Sequence, residues 1–528
     1  MKLEIIKTGM DGDGIAYDHH KPVFVKNALP GEIVDVKIIH ESNGHKTGTV
    51  NNYLKISEDR SFDICRYSKY CGGCSIDHAK YDLQLKIKTD LLKESLRKYA
   101  GIIEDIDIVP SPEVNHYRNS FKLPLCMNNK VELVTALYEE QTNHFVYFDE
   151  CLNHEEILEK CRIEFLDIAG RYHLKAYDRY DKKGLRYLYM RHLSNGIQVC
   201  IVTGEETLDK KFVYDIAHID KVISIYQSIN TSRSSMNIFG RKMIHLSGSK
   251  TLRFEVNDIK ANLSIRSFYQ MNTLQAKDLY GHVIDLMDDN QDTVVEAYCG
   301  VGIMSLMASK KAKEVTGIEI IEDAIINAEK NAKLNNINNV RFVCGDSGET
   351  IKRLFKKKNI DTLIVDPPRG GLDEMMLETI IRSKIRNIIY VSCNDVTLAK
   401  NIEVLSKYYH MESIKAFDMF PNTTHVETVC VLSKLSEAKH HISVQVDMDE
   451  LDLYAAESKA TYEEIQEWVQ EKYGFHVTHL NIAKTKRKCG IIERQNYNLP
   501  KSENSRSPET PKEKEEAIID AFLHFKMM

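Results

Sequence analysis

The segment "YVSCNDVTLAKN" (390–401) sets a thiol, Cys393, between a short β-branched run, "NIIYVS" (387–392), and the amphipathic pattern "DVTLAKNIEVL". The run predicts a buried parallel strand, and Asp395 falls in the first turn of the helix after it. Open parallel sheets place ligands in the crevice at the carboxyl ends of their strands. A thiol at that place is either a small buried hydrophobe or a nucleophile. "DPPRGG" (366–371) ends another strand, so Asp366 and Arg369 would face the same crevice, on a loop stiffened by two prolines.

Three more groups extend the crevice. "EAYCGVGIMSL" puts Gly300 and Gly302 between a strand and a helix, where backbone amides can approach a ligand with a helix N-terminus behind them. Ser305 stands where a dinucleotide fingerprint would want a third glycine, which argues against NAD. Glu319 ends "VTGIEI", a place where a carboxylate can accept from both hydroxyls of a ribose. Asp346, in "VCGDS", ends the next strand and is placed to meet an adenine amino group; either acid could instead be a helix N-cap. Glycine turn, ribose acid and adenine acid in that order fit S-adenosylmethionine.

A second cluster lies far upstream. Cys65, Cys71 and Cys74 have the spacing C-x5-C-x2-C, with Gly-Gly before Cys74 to let the backbone fold tightly around a bound group. Three close thiols ask for a fourth ligand, around tetrahedral zinc or an iron–sulfur cluster. Cys151 and Cys161 are the nearest downstream candidates and Cys126 a weaker one. Spacing alone leaves both the metal and the fourth ligand open.

The elements that must position these groups follow from patterning. The chain has 528 residues, 43% of them apolar, enough for several cores. Residues 1–57 show short alternating strands between turn signals and predict a small β-barrel, a shape that often binds nucleic acid. Residues 58–265 predict a mixed α+β central domain that carries the cysteines, opening with a long amphipathic helix over 77–99. Residues 266–435 alternate strand and helix and predict a doubly wound α/β domain. Residues 436–528 form an accessory tail: "TYEEIQEWVQEKYG" opens with a capping-box pattern, Thr461 to Glu464, and a second helix carries "AKTKRK" (483–488) after a turn at Gly474. This pair resembles a helix-turn-helix, while "LPKSENSRSPETPKEKEE" (499–516) reads as a linker. No run of about eighteen apolar residues and no signal-peptide pattern occur, so a cytoplasmic chain with no membrane partner is expected, its twelve cysteines reduced or metal-bound. A net charge of −6 argues against a broadly basic nucleic-acid binder and leaves room for local basic patches.

Five blocks in order, "SFYQMN" (267–272), "YCGVG" (298–302), "DPPRGG", "YVSCN" (390–394) and "FPNTTHVE" (420–427), resemble the RNA 5-methyluridine methyltransferases. The resemblance covers roughly residues 1–435 by the order of its segments. It implies that the N-terminal barrel is a TRAM domain, an RNA-binding module. It also implies that the cysteine trio belongs to an iron–sulfur motif whose fourth ligand is Cys151, holding a [4Fe–4S] cluster. By position, Gln270, Tyr298, Glu319 and Asp366 match the cofactor-binding places, Cys393 the nucleophile and Glu427 the general base. The chain departs from the family in having Glu296 for a common aspartate, Asp395 for a common proline, and Ile303 for a residue that is polar in some members.

The implied chemistry asks for these residue types. Uracil C5 is a poor carbon nucleophile, and a thiolate adding at C6 turns it into an enolate carbon. After methyl transfer a base must remove the C5 hydrogen so that the cysteine can leave. The target uridine must also leave its stack, so base flipping is expected. By the same resemblance the substrate is ribosomal RNA, most closely the 23S type, with transfer RNA as the alternative, and the enzyme is expected to act as a monomer. Two rival readings remain: an amino-methyltransferase, which would need no thiol, and a non-catalytic iron–sulfur RNA-binding protein, which would transfer no methyl group.

Overall fold

A computed structural model describes residues 1–42, 44–62, 64–139, 142, 144–232, 237–356, 358–383, 385–435, 462–488 and 511–524. The chain divides into two compact units, Met1–Ser436 and Glu437–Met528.

The first unit opens with β1 (Lys2–Glu4), β2 (Lys7–Thr8), β3 (Gly14–Asp18), β4 (Lys21–Lys26), β5 (Ile33–Glu41) and β6 (Lys46–Lys55), paired in the order β1-β5-β6-β4-β3-β2. Alternating residues Val23, Val25, Val34 and Val36 face one core. Leu3 in β1 and Ala16 in β3 share that core, so the sheet folds over on itself. The paired order nevertheless has two ends, and no ladder closes β1 onto β2 among the described strands.

Next come α1 (Tyr81–Tyr99) and β7 (Asp107–Val109). The helix starts later than its apolar pattern because residues 78–80 pair back onto 59–61, through Ser61 N–H to the His78 carbonyl and Lys80 N–H to the Asp59 carbonyl. The central sheet runs β10-β9-β8-β11-β12-β13-β14. Its strands are β8 (Ser120–Met127), β9 (Leu133–Tyr138), β10 (Phe145–Tyr147), β11 (Leu185–Leu193), β12 (Gly196–Thr203), β13 (Val222–Ile229) and β14 (Lys242–Gly248). Helices α2 (Glu156–Arg171) and α3 (Lys210–Ala217) cover one face through Leu158, Phe165, Phe212 and Ile216. A hairpin of β15 (Thr251–Val256) and β16 (Ile259–Ser264) leads into the third region.

That region contains α4 (Thr273–Asp285), β17 (Gln291–Ala297), α5 (Ile303–Ala308), β18 (Ala312–Glu319), α6 (Glu322–Leu334), β19 (Val340–Cys344), α7 (Ser347–Phe355), β20 (Thr362–Val365), α8 (Glu374–Arg382), β21 (Asn387–Ser392), α9 (Asp395–Leu405), β22 (Tyr409–Phe417) and β23 (Glu427–Lys434). They build the eight-stranded sheet β19-β18-β17-β20-β21-β23-β22-β7. The first five strands are parallel, β23 is antiparallel to both neighbours, and β7 joins as an outer strand beside β22. Alternate residues feed two cores, as period-2 strands buried on both faces must. Val294, Ile364, Ile389 and Val391 face α4 and α5, whereas Val295, Leu363, Val365, Ile388 and Tyr390 face α1, α8 and α9. Strand order reverses between β17 and β20, the switch point at which doubly wound sheets open a crevice.

In the second unit α10 (Tyr462–Tyr473), α11 (His479–Lys488) and α12 (Lys512–His524) surround Ile465, Val469, Val477, Ile482, Ala517, Ile518, Ala521 and Phe522. Gly474, with φ +76°, makes the turn after α10. The linker expected over 499–516 therefore needs correction: residues 512–516 begin α12, because apolar residues at 517, 518, 521 and 522 give that helix a face to bury. Residues 499–510 and the Thr461–Glu464 capping box lie outside what is described.

Candidate active site

Five parallel strands deliver the expected residues to one edge. Tyr298, Gly300 and Gly302 follow β17, Glu319 ends β18, Asp346 follows β19, Asp366 follows β20 and Cys393 follows β21. Glu427 begins β23, and because that strand is antiparallel its first residue reaches the same edge. The β21–β23 ladder ends at Ser392 paired with Thr428, and one more step of that register sets Cys393 opposite Glu427. Cross-strand partners at that spacing share one face of the sheet.

Electrostatics report the same convergence. Burial pushes the Cys393 thiol up to about 11, the charges of Glu427 and Asp366 add to the rise, and the Arg369 guanidinium opposes it. Burial raises Glu427 well above the usual carboxylate range, with Asp366 contributing and Arg369 opposing. Burial alone raises Asp366 to about 7. The two carboxylates thus share a dry pocket in which both do not ionise easily together, and they titrate as a pair. Glu427 is 3% exposed, and its Oε2 has no hydrogen-bond partner among the described residues. A buried carboxylate oxygen left open costs stability unless something else uses it.

The loop carrying Asp366 and Arg369 is fixed to the start of α9. Asn394 Nδ2 and Thr397 Oγ1 both donate to the Arg369 carbonyl, at 3.2 and 3.3 Å. Asn394 also caps α9, accepting from the N–H groups of Val396 and Thr397. The residue after the thiol therefore holds both walls of the pocket.

The glycine turn forms a cradle. A Cβ on Gly302 (φ +82°) would come within 2.6 Å of the Phe342 ring, so only glycine fits there. Gly300 (φ +52°) would point a Cβ into open space, and its N–H donates to Glu319 Oε2 at 3.1 Å. Tyr298 holds a left-handed backbone at φ +63°, a strain concentrated at sites. Helix α5 is only six residues long, so the helix N-terminus expected behind this turn adds little, and the turn itself is the cradle. Glu319 Oε1 accepts from Ile321 N–H, and Asp346 Oδ1 caps α7 through Glu349 N–H, so each acid is oriented by backbone and keeps free acceptor capacity. Gln270 is buried next to the α4 cap, where Asn119 Nδ2 donates to its carbonyl. The residues present suit a ribose and an adenine beside a small apolar turn.

The departures noted in the sequence find partners. Glu296 is buried and raised to about 8 by that burial, and Ser305 Oγ donates to it, so the serine that displaces a glycine is the acid's partner. Asp395 accepts from Ser95 Oγ of α1 at 2.8 Å. Ile303 packs into the core.

Upstream, the cysteines fall in different surroundings. Cys65, Cys71, Cys74 and Cys151 line one cavity of about 210 Å³. Burial raises the first three thiols, and the charge of Cys151 adds to each. Cys161 packs in the central core and Cys126 is buried within β8, and neither lines the cavity. Gly73 N–H and Asn153 Nδ2 donate to the sulfurs of Cys71 and Cys74, at 3.3 and 3.1 Å. Among the described residues no three His, Cys, Asp or Glu side chains close to the spacing of a single metal ion. The thiols stand around a space instead of meeting at a point.

Two positioning groups had no local signal in the sequence. Asp418 and Asn422 hold the loop before Glu427, and their partners lie hundreds of residues away.

Residues 80–435 match the family described as tRNA (Uracil-5-)-methyltransferase, and residues 2–49 match the TRAM domain. An uncharacterized RNA methyltransferase of Listeria innocua is 35% identical over 442 residues, covering 82% of this chain and 97% of the relative. One from Halalkalibacterium halodurans is 35% identical over 434 residues, covering 80% and 94%. Among solved structures, the tRNA (uracil-54, C5)-methyltransferase of Pyrococcus abyssi, in complex with S-adenosyl-L-homocysteine, aligns with a TM-score of 0.67 at 26% identity, covering 82% of this chain and all of that one.

Proposed function

The chain belongs to the tRNA (uracil-5-)-methyltransferase family, S-adenosylmethionine-dependent enzymes that methylate uracil C5 in RNA, and we propose that Cys393 is its nucleophile and Glu427 its base. The reading is supported by the β21–β23 ladder, which ends one residue short of both Cys393 and Glu427, and by a buried carboxylate whose Oε2 has no partner among the described residues.

S-adenosylmethionine, when bound, supplies an electrophilic methyl group on a sulfonium. Gln270, Tyr298, Gly300, Gly302, Glu319, Asp346 and Asp366 would hold it. Cys393 Sγ adds to uracil C6, and the electron pair of the C5–C6 double bond moves onto C5 and the adjoining carbonyl. C5 would then take up the methyl group as its bond to the sulfonium sulfur breaks, the electron pair staying on that sulfur as a neutral thioether. Glu427 removes the C5 hydrogen as a proton, the double bond re-forms, and the C6–S bond breaks to return the thiolate. Burial serves this last step, because a carboxylate raised toward neutrality is a stronger base. Arg369 favours the thiolate form of Cys393.

We propose that the four-cysteine cavity holds a [4Fe–4S] cluster on Cys65, Cys71, Cys74 and Cys151. Four sulfurs around an open space, two of them receiving N–H groups, support a cluster over a single zinc ion. Its role is structural or RNA-orienting, since the methyl transfer consumes no electrons.

For the RNA we propose a ribosomal substrate of the 23S type, read from the joint presence of the N-terminal RNA-binding module and the cysteine motif. The Pyrococcus abyssi structural neighbour is a tRNA enzyme, which keeps transfer RNA as the second reading. Mapping 5-methyluridine in total RNA from cells with and without this protein decides between them. A site lost from ribosomal RNA supports the proposal, a site lost only from transfer RNA replaces it, and no lost site refutes both. The enzyme is proposed to act as a monomer in the cytoplasm. No helix among the described residues is long and apolar enough to cross a membrane.

We also propose that residues 1–57, 58–265, 266–435 and 436–528 serve as RNA-binding, cluster-bearing, catalytic and accessory regions. In the last of these the sequence of α11 includes Lys484, Lys486, Arg487 and Lys488 and no acidic residue; Lys486 is buried, so the proposed phosphate contacts fall to Lys484 and Lys488. Lys488 also pairs with Glu515 of α12 at 2.7 Å, which orients the end of that helix.

A further inference from the structure

The loop between β22 and β23 closes on the pair Phe417–Glu427, so any movement of the loop is felt at Glu427. Most residues in its first half are held by segments far away in sequence, α1 (Tyr81–Tyr99) foremost. Asp418 accepts from Lys88 Nζ and Tyr81 Oη. The Phe420 carbonyl accepts from Lys88, and the Pro421 carbonyl from Tyr117 Oη. Thr424 N–H donates to Ser75 Oγ, one residue beyond Cys74.

Asn422 is the hub of this loop. It is 7% exposed and holds φ +68°, a left-handed conformation that asparagine tolerates better than most residues. All four of its polar atoms are engaged. Its N–H donates to Gln84 Oε1 at 2.9 Å, its carbonyl accepts from Ile76 N–H at 3.1 Å, and its Oδ1 accepts from Gln84 Nε2 at 3.2 Å. Its Nδ2 lies 3.0 Å from Asn153 Oδ1, 3.2 Å from the Val114 carbonyl and 3.3 Å from Asn115 Oδ1. Asn153 then donates to Cys74 Sγ at 3.1 Å. Asn422 also lines the cysteine cavity itself. Two amides thus form an unbroken path from a thiol of that cavity to the loop that ends at the base.

We propose that Asn422 is a positioning residue for Glu427, and that through Asn153 it ties the placement of this base to Cys74 and the cavity around it. The proposal rests on the reading of Glu427 as the base. It assigns the cysteine cavity a task in the reaction that needs no electron transfer: holding the loop so that the carboxylate meets the C5 hydrogen. A misplacement on the order of 1 Å in such a group can cost about 100-fold in rate.

The test separates adduct formation from adduct release, using total RNA from cells lacking the protein and the same RNA prepared with 5-fluorouridine. At a fluorinated C5 there is no proton to remove, so that RNA reports attack by Cys393 and methyl transfer without the final proton removal. Asn422→Gly keeps the left-handed backbone and deletes the amide. It should trap 5-fluorouridine RNA at the parental rate, yet on ordinary RNA it should accumulate adduct with release slowed roughly 10- to 100-fold. Asn153→Leu should do the same, and the double variant should be no slower than the worse single one, as expected for two links of one path. Hydrogen exchange of the 418–426 amides should quicken in both, a readout independent of activity. Asn422→Asp, which keeps volume and backbone while losing the donor, carries the test should Asn422→Gly fail to fold. Parental release in these variants, beside a Glu427→Gln control that does accumulate adduct, overturns the positioning role. Equal losses on both RNAs overturn it too, in favour of a general structural effect. A Glu427→Gln control that releases at the parental rate removes the base assignment instead.

Discussion

Lys88 and Asp418 form a buried ion pair across 330 residues of sequence, and it fastens α1 to the loop that ends at Glu427. Neither side chain meets solvent, and burial pulls the Lys88 ammonium below its usual range while Asp418 opposes that pull. Removing one partner strands a buried charge. Asp418→Ala should therefore lower stability by about 3–5 kcal/mol in denaturant unfolding, whereas a Lys88→Met, Asp418→Leu double variant should recover most of it. A loss below about 1 kcal/mol for the single variant would show the pair to be solvated, as surface pairs are.

The proposed base predicts a trapped intermediate. Glu427→Gln should still attach RNA through Cys393 and methylate it, then release it about 10²- to 10⁴-fold more slowly. The complex should run as a shifted band on a denaturing gel. Cys393→Ala should bind S-adenosylmethionine normally, form no such band and show no turnover. Normal methylation by Cys393→Ala would end the covalent mechanism and favour an amino-methyltransferase.

Cys393 should be a slow thiol at neutral pH in the free enzyme. Its pKa of about 11 lies above the ordinary value, so the reactive thiolate is scarce at pH 7 and its fraction grows as pH rises toward that value. Alkylation by iodoacetamide, followed on the Cys393 peptide by mass spectrometry, should keep rising beyond pH 9. A plateau near pH 7 would place a stronger cation beside the sulfur than Arg369.

The cysteine cavity predicts iron. Protein prepared without oxygen should be brown and contain iron and acid-labile sulfide near four of each per chain. Substituting Cys74 or Cys151 by serine should lower both contents, and Cys161→Ser should leave them unchanged. Stoichiometric zinc without sulfide would refute the cluster.

The proposed catalytic and cofactor-binding residues lie wholly in the first unit, so a chain ending near Lys434 should fold and bind S-adenosylmethionine. If α11 touches phosphate, that truncation should weaken RNA binding and flatten its dependence on salt by roughly one logarithmic slope unit per lost contact. Identical affinity and slope in both forms would leave the second unit without an RNA role.

Local chemistry made much of this protein legible in its sequence. Short apolar runs such as "NIIYVS" marked the strands, because a strand buried on both faces must be apolar almost throughout whatever surrounds it. Cys393 at a strand tip and the acids after β18 and β19 were readable for the same reason: strand, turn and helix are short-range events. Tertiary structure decided what depends on distant segments meeting. It set Glu427 across from Cys393 by an antiparallel strand inserted between β21 and β22. It drew Cys151 to Cys65, Cys71 and Cys74 and left Cys161 in a core. It made an ordered helix of a stretch whose polar residues read as linker, because burial of Ile518 and Phe522 outweighs composition. It gave Asn422 partners near residues 76, 84, 115 and 153. A hydrogen bond or ion pair joining segments hundreds of residues apart has no local pattern, since its energy exists only once the chain has closed the loop between them.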